Sequence, residues 1–143
     1  PPMNTDTRGS ESEITEVIIG AAFEVANVLG AGFLEKVYER ALIRELGFRG
    51  LHAKSQVALP VRYKGQYVGE YVADLVVPDS VIVELKCVES FANEHLAQCI
   101  NYLKASGLRV ALLLNFQRSK VDWKRVIFDP ELAPVTGALA AGR

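Results

Sequence analysis

Of the 143 residues in the chain, 50% are hydrophobic and 23% are charged, a balance typical of one globular domain with a single core. The net charge of -1 excludes a general electrostatic attraction for nucleic acid, so any such contact requires a local basic patch. The sequence has neither an apolar run of the roughly 20 residues that cross a membrane nor a signal-peptide pattern. Cys87 and Cys99 lie in apolar segments, which predicts free thiols and a cytoplasmic protein.

Two amphipathic helices are predicted at the start of the chain. Ser10 and Glu13 have the spacing of a capping box, and apolar residues follow at intervals of three and four until residues 30–32. This stripe comprises Ile14, Val17, Ile18, Ala21, Ala22, Val25 and Val28. A second helix is expected over residues 33–46, since the following Gly47 is a typical stop signal. Its inner side would carry Leu34, Val37, Ala41 and Leu42.

A β-hairpin and a central strand are predicted next. Residues 57–63 and 67–77 are rich in β-branched and aromatic side chains, and turn-forming residues separate them at positions 64–66. A second turn is expected at residues 78–80. Residues 81–88 are apolar on both faces, which is typical of a strand that helices cover on both sides.

Helical spacing returns over residues 90–106, and Gly107 is its expected stop. The core stripe of this helix comprises Leu96, Cys99, Ile100 and Leu103. Residues 108–116 have the composition of a buried strand, and residues 123–128 that of a short edge strand.

The predicted fold class is therefore α/β, with a central mixed sheet flanked by helices in the order α-α-β-β-β-α-β. We expect one domain over residues 13–129. Residues 1–12 are expected to be disordered or derived from a tag, and residues 130–143 to form a flexible tail that lacks periodicity.

Three ionisable residues, Asp74, Glu84 and Lys86, interrupt the apolar runs of residues 71–88. An isolated buried charge costs several kcal/mol, so these residues require partners or a bound cation. Residues two apart in a strand share a face, which places Glu84 and Lys86 together. A register fixed by the turn at residues 78–80 could bring Asp74 beside Glu84.

Two neighbouring carboxylates suit a hard divalent cation, Mg²⁺ or Mn²⁺, which takes oxygen ligands and keeps water or phosphate in its remaining positions. A lysine beside such a metal can orient the attacking water or stabilise the charge of the transition state. The three residues therefore indicate a site for phosphodiester hydrolysis. The alternative is a structural ion pair of Glu84 and Lys86 beside an exposed Asp74.

This pattern resembles the PD-(D/E)xK nuclease superfamily. The residues that carry the resemblance are, in order, Asp74, Glu84, Leu85, Lys86, Gln98 and Tyr102. Gly32, Glu35 and Tyr38 also match the Gly-x-x-Glu-x-x-Tyr signature of a family of small bacterial and archaeal proteins, the GxxExxY family. The resemblance covers most of the chain and implies a restriction-endonuclease-like core. Ala73 stands where the superfamily's name has proline.

The resemblance implies a role for each matching residue. Asp74 and Glu84 would be metal ligands, with the carbonyl oxygen of Leu85 as a further ligand. Lys86 would be the catalytic lysine. Glu35 would correspond to the acidic residue that many members place on an early helix to complete the metal site.

Two tyrosines and one glutamine are candidates for substrate binding: Tyr38, Tyr102 and Gln98. Gln98 and Tyr102 match the Gln-x-x-x-Tyr element of exonuclease-like members, where it faces the active centre or the nucleic-acid strand. Tyr38, one helical turn after Glu35, could share hydrogen bonds with that carboxylate or with a phosphate. The alternative for Gln98 and Tyr102 is an exposed amide and a half-buried aromatic ring without a role in binding.

The expected function is hydrolysis of phosphodiester bonds in DNA, with RNA as the second choice of substrate and Mg²⁺ or Mn²⁺ as cofactor. The alternative is a module that keeps the nuclease fold but acts by self-association or partner binding. A homodimer or a higher homo-oligomer is expected under either hypothesis.

Overall fold

A computed structural model describes residues 7–129 of the chain, with side chains from Glu11 onward. The expectations for residues 1–6 and 130–143 lie outside this range. The elements within it are, in chain order, α1 (Thr7–Leu29), α2 (Glu35–Phe48), β1 (Lys54–Tyr63), β2 (Gln66–Val77), β3 (Val81–Lys86), α3 (Asn93–Ser106), β4 (Val110–Asn115) and β5 (Asp122–Ile127). None of the three helices described combines the length and the apolar character needed to cross a membrane.

The five strands form one mixed sheet whose spatial order follows the chain, from β1 to β5. β1, β2 and β3 are antiparallel neighbours, β3 and β4 are parallel, and β5 is antiparallel to β4 at the edge. Because parallel strands need a long crossover connection, α3 lies between β3 and β4 in the chain. The sheet confirms the predicted α/β class and the restriction-endonuclease-like core.

Each face of the sheet has its own apolar cluster. α1 and α2 cover one face, where Ile18 and Leu42 are fully buried. α3 covers the other face, where Cys99 and Leu103 are fully buried. β3 and β4 contribute to both clusters, because successive side chains of a strand point to opposite faces. Their near-continuous apolar sequences follow from this double coverage.

The N-terminal helix begins earlier than predicted. α1 starts at Thr7, so Ser10 lies inside the helix and the predicted capping box is wrong. Glu11 is buried, and its carboxylate lies 3.9 Å from the guanidinium of Arg109. The Thr15 hydroxyl donates to the Glu11 carbonyl oxygen at 2.8 Å. The contact with Arg109 ties this part of α1 to the start of β4.

Two residues assigned to inner helical faces are exposed instead: Val28 by 71% and Leu34 by 77%. Both lie beside the connection between α1 and α2, where the chain turns at Gly30, with φ 76°. Leu34 is the N-cap of α2 and has an extended backbone, so the periodicity of the helix does not yet apply to it. The hairpin and α3, with Gly107 as its left-handed C-cap, lie close to their predicted positions.

Candidate active site

The candidate site begins where the backbone ladder between β2 and β3 ends. The last backbone pair is Leu75 with Val83, which places Asp74 opposite Glu84 in the same register. The Asp74 N–H donates to Oε1 of Glu84 at 3.3 Å, and the Leu85 N–H donates to Oδ2 of Asp74 at 2.9 Å. At this position, hydrogen bonds to side-chain carboxylates thus replace the backbone hydrogen bonds between β2 and β3. The register brings Asp74 beside Glu84, as predicted.

Glu84 is only 4% exposed, and two side chains approach its Oε2 atom. The Tyr102 hydroxyl lies 3.3 Å from this oxygen, and Nζ of Lys86 lies 3.7 Å from it. The predicted common face of Glu84 and Lys86 is confirmed. Burial, followed by the negative charge of Asp74, raises the pKa of Glu84 to about 7, against the opposing effects of the Asp74 N–H, Lys86 and Tyr102. At neutral pH, Glu84 is therefore divided between its neutral and charged forms.

Tyr102 connects α3 to this carboxylate. Besides Glu84, its hydroxyl contacts the carbonyl oxygen of Val72 at 3.2 Å. Burial and then the charge of Glu84 raise the pKa of Tyr102, so its hydroxyl keeps its proton. A hydroxyl has one proton to donate and can also accept a hydrogen bond, so Tyr102 can serve both forms of Glu84. It can donate to ionised Glu84, or accept from neutral Glu84 while donating to Val72.

The residue of β1 that lies opposite Asp74 has an irregular backbone conformation. Gln56 falls opposite Asp74 in the register but is skipped by the backbone pairing, and its φ is 51°. Such a left-handed conformation costs about 1–3 kcal/mol for a residue other than glycine. Nε2 of Gln56 donates to both carboxylate oxygens of Glu39, at 3.3 and 3.2 Å. Lys36 contacts the same carboxylate at 3.4 Å. These bonds tie the irregular position to α2.

Glu39 and Gln56 were not among the predicted site residues. Glu39 is buried on α2 together with Leu42 and Leu46. It precedes these leucines by three and seven residues, a spacing that places a carboxylate on the core side of the helix. That spacing was the available sequence signal for Glu39. The positive φ of Gln56 has no comparable signal in the sequence.

The end of β3 is fixed from β4. The Phe116 N–H donates to the Lys86 carbonyl oxygen at 2.9 Å. Asn115 is 2% exposed, and its side-chain amide donates to the Val88 carbonyl oxygen at 2.8 Å while its Oδ1 accepts the Val88 N–H at 3.1 Å. The prediction omitted Asn115, although a polar residue at the end of an apolar strand is a signal for such a role. These bonds restrict the backbone on both sides of Cys87, directly after Lys86.

Tyr38 supports the same strand end from α2. Its ring is 1% exposed and stacks on Phe116, with ring centroids 4.8 Å apart. Its hydroxyl donates to the Gly30 carbonyl oxygen at 2.6 Å and accepts the Phe33 N–H at 3.2 Å. The hydroxyl therefore bonds to the connection between α1 and α2, not to the Glu35 carboxylate. The buried ring and these bonds favour a supporting role, and the substrate-binding role of Tyr38 stays a prediction.

Glu35 lies at the start of α2, and its Oε2 accepts the Cys87 N–H at 3.2 Å. It therefore contacts the residue that follows Lys86. Among the residues whose side chains are described, no three Asp, Glu, His or Cys side chains form a group that could hold a metal. The structure thus brings Asp74 and Glu84 together but does not join Glu35 to them in a three-residue group.

Leu85 and Gln98 are the remaining predicted site residues. The Leu85 side chain is buried and its N–H bonds to Asp74, while metal binding by its carbonyl oxygen stays a prediction. Gln98 is half-buried on α3, one turn before Tyr102. Its contact with nucleic acid also stays a prediction.

The pair of Asp74 and Glu84 fits a divalent metal by its chemistry. Mg²⁺ commonly takes one or two protein carboxylates and completes its octahedron with water or phosphate oxygens. The negative charge of Asp74 contributes to the raised pKa of Glu84, and a cation between the two carboxylates would relieve this repulsion. Two carboxylates are sufficient for such a site, and metal binding by Glu35 stays a prediction.

The chain is also similar to known proteins. In solved structures it is similar to an alkaline exonuclease (LHK-Exo) from Laribacter hongkongensis, with 15% identity and a TM-score of 0.47 over 84% of this chain and 83% of that chain. It is similar to SSO0001 as well, with 15% identity and a TM-score of 0.45 over 88% and 86% of the two chains. No curated protein matches. A family model described as the PD-(D/E)XK nuclease superfamily matches residues 12–126, and the chain belongs to this superfamily.

Proposed function

We propose that this protein hydrolyses phosphodiester bonds in DNA, rather than RNA, with Mg²⁺ or Mn²⁺ held by Asp74 and Glu84. The observation that carries the proposal is this carboxylate pair at the end of a strand ladder, with Lys86 3.7 Å from Glu84. Nucleases of this superfamily generally use divalent metals, which supports the choice of cofactor. When bound, the metal would lower the pKa of a coordinated water and polarise the scissile phosphate.

The side chains around the pair have complementary roles in this proposal. Asp74 is oriented by the Leu85 N–H, so one of its oxygens is fixed before a metal arrives. The ammonium group of Lys86 would orient the attacking water and stabilise negative charge on the phosphate. Tyr102 would hold the Glu84 carboxylate in place through its hydroxyl. The predicted Leu85 carbonyl ligand and the Gln98 contact with the strand belong to the same proposal.

The first test is cleavage of labelled single- and double-stranded DNA and RNA with Mg²⁺, with Mn²⁺ and with EDTA. We expect metal-dependent cleavage of DNA that falls at least about 100-fold in Lys86→Ala, because electrostatic groups at the reacting phosphate contribute effects of this size. Equal cleavage by Lys86→Ala, or no cleavage of any substrate with either metal, would contradict the proposal.

The second test is calorimetric titration with Mn²⁺. Binding should be present in the wild type and absent in Asp74→Asn, which removes the charge with little change in volume. The matched control is Asp79→Asn in the turn between β2 and β3, where the residue is exposed and has φ 60°, a conformation that asparagine tolerates. If Asp79→Asn lost Mn²⁺ binding to the same extent, the effect could not be assigned to the carboxylate pair.

Within the superfamily, we assign the chain to the GxxExxY family because of Gly32, Glu35 and Tyr38. The free thiols of Cys87 and Cys99 agree with the expected cytoplasmic location. Homo-oligomer formation is part of the proposal as well.

A second candidate function is a binding module that has lost catalysis. Exposed apolar side chains near the α1–α2 connection and at the end of α2 favour it: Val28, Leu34 and Phe48 are 71%, 77% and 82% exposed. Such residues are available for self-association or for a partner protein. A protein that sediments as an oligomer but neither binds Mn²⁺ nor cleaves nucleic acid would support this candidate over the nuclease.

A further inference from the structure

A groove runs between the β1–β2 hairpin and the second half of α3. Its volume is about 580 Å³. It is lined by Pro60, Val61, Arg62, Tyr71, Asn101, Lys104 and Ala105. We call it the hairpin groove. None of these lining residues is acidic, although the chain as a whole carries a net charge of -1.

The hairpin groove shares a wall with the candidate active site. The Tyr71 ring lies edge-on to the Tyr102 ring, with centroids 5.6 Å apart, and the Tyr102 hydroxyl contacts Glu84 at 3.3 Å. On the groove side, the Asn101 side-chain amide donates to the Tyr71 hydroxyl at 3.4 Å. Tyr71 is 36% exposed, so part of its ring is available to a ligand. Tyr71 therefore lies between the groove and Tyr102, whose hydroxyl contacts Glu84.

Two cations border the groove, Arg62 from β1 and Lys104 from α3, and both are exposed. Neither forms an ion pair with a carboxylate within the range that the structure describes. The Lys104 ammonium lies 5.9 Å from the centre of the Phe128 ring. Exposed cations on two sides of a groove without carboxylates make a local site for anions, which the overall charge of the protein does not provide.

The combination of groups fits a nucleic-acid strand better than a simple anion. Single strands are bound by cations that follow the phosphates and by aromatic rings on which bases stack. The groove has both, together with the amide of Asn101, which can donate and accept hydrogen bonds. Its volume is in the range of pockets for small ligands, which is sufficient for nucleotides of a single strand.

We propose that the hairpin groove binds a single strand of nucleic acid that leads to or from the Asp74–Glu84 pair. A base packs on the Tyr71 ring, and Arg62 and Lys104 neutralise the flanking phosphates. The proposal rests on the proposed function in one respect, namely that this strand is part of the substrate. Strand binding itself does not require catalysis, so the two can be tested separately.

The test measures binding without cleavage, by fluorescence anisotropy of a labelled oligo-dT strand in EDTA. The double variant Arg62→Ala/Lys104→Ala should raise Kd at least about 10-fold and lower the slope of log K against log salt by about 1 to 2. Arg40→Ala/Arg44→Ala is the matched control, because it removes two exposed cations from α2, which covers the opposite face of the sheet. The control should change Kd less than twofold.

The role of the Tyr71 ring has its own pair of variants. Tyr71→Leu removes the stacking surface but keeps an apolar contact with Tyr102, and should raise Kd about 10-fold. Tyr71→Phe keeps the ring and should bind within about twofold of the wild type. The melting temperature of each variant establishes that it is folded under the conditions of the titration.

Three outcomes would overturn the proposal. The first is equal binding by the groove double variant and the control. The second is equal affinity of the wild type for a duplex and for the single strand. The third is full competition by dTMP at the concentration at which the strand binds, because this would define a mononucleotide site.

If the strand binds as expected but Lys86→Ala does not affect cleavage, the groove proposal holds and the proposed catalysis fails. If cleavage depends on Lys86 but the groove variants keep their affinity, only the groove proposal fails.

Discussion

Two pairs of one glutamate and one tyrosine, Glu84 with Tyr102 and Glu35 with Tyr38, differ in what they bond to. In the first pair, the Tyr102 hydroxyl lies 3.3 Å from the Glu84 carboxylate, which Asp74 and Lys86 also approach. In the second pair, Glu35 accepts the Cys87 N–H, and the Tyr38 hydroxyl bonds to backbone groups of Gly30 and Phe33. The first pair therefore contacts side chains as well as backbone groups, whereas the bonds of the second pair, within the part of the chain that the structure describes, go to backbone groups.

This difference distinguishes residues that can bind a metal or take part in the reaction from residues that hold the backbone around the site. Burial and then the facing charge of Asp74 raise the pKa of Glu84, and the pair would gain from a cation. A carboxylate or hydroxyl that bonds to backbone groups restricts the chain and leaves less capacity for a ligand. The second pair holds both sides of the segment that follows Lys86: Glu35 directly, and Tyr38 through the ring of Phe116. We therefore interpret α2 as a support for the end of β3.

The largest expected effect is the loss of the Tyr38 ring. Tyr38→Ala should lower the free energy of unfolding by about 3–5 kcal/mol, the usual cost of truncating a buried aromatic side chain. Tyr38→Phe keeps the stacking on Phe116 but leaves the Gly30 carbonyl without its donor, and should cost about 1–3 kcal/mol. Urea unfolding measures both. Tyr67→Ala is the control, because Tyr67 is 56% exposed and its loss should cost less than about 0.5 kcal/mol.

The two tyrosine variants also distinguish support from substrate binding. If Tyr38 is a support, Tyr38→Phe should be less stable but should bind Mn²⁺ and oligo-dT as the wild type does. A Tyr38→Phe variant with wild-type stability and weakened strand binding would return Tyr38 to the substrate site.

The next effect concerns the first pair and its dependence on pH. The pKa of Glu84 in the folded protein is about 7, above its ordinary value of 4.5, so the folded state binds the proton more tightly than the unfolded state. The contribution of Glu84 to stability is therefore complete below about pH 4.5 and is lost as the pH rises through about 7. The loss is at most roughly 3 kcal/mol, since one pKa unit corresponds to about 1.4 kcal/mol.

This prediction can be isolated from other carboxylates by subtraction. Urea unfolding of the wild type and of Glu84→Gln is measured from pH 4 to 8 in EDTA, and the difference between the two free energies is followed. Glutamine does not titrate, so the wild type should lose stability relative to Glu84→Gln across this window. Added Mn²⁺ should weaken the trend, because a cation favours ionised Glu84. A difference that is constant with pH would contradict the raised pKa.

The part of the site that could be predicted from the sequence depends on strand geometry. The period of two in a strand places Glu84 and Lys86 on one face, and the turn at residues 78–80 fixes Asp74 opposite Glu84. The continuous apolar sequences of β3 and β4 likewise reveal a sheet covered on both faces. These features follow from local periodicity and short connections.

The support of the site could not be predicted in the same way. Helical spacing places Glu35 and Tyr38 one turn apart, but it does not specify which groups they meet. The ring of Tyr38 meets Phe116, which is distant in the chain and follows β4. Gln56 likewise combines a left-handed backbone with bonds to Glu39 on α2, seventeen residues away in the chain. Such contacts depend on how helices and strands pack, which a single sequence does not encode locally.

The smallest expected effect is that of changing Glu35. It tests whether this residue supports the end of β3 or binds the metal. Glu35→Gln keeps a carbonyl oxygen that can accept the Cys87 N–H, so kcat and the Kd for Mn²⁺ should stay within about threefold of the wild type. Glu35→Ala removes the acceptor and should lower kcat about 10-fold, as for other groups that orient a site indirectly. Glu24→Gln, at an exposed position of α1, is the control. If Glu35 were a metal ligand, Glu35→Gln would lose Mn²⁺ affinity as fully as Glu35→Ala, and the comparison of the two pairs would fail.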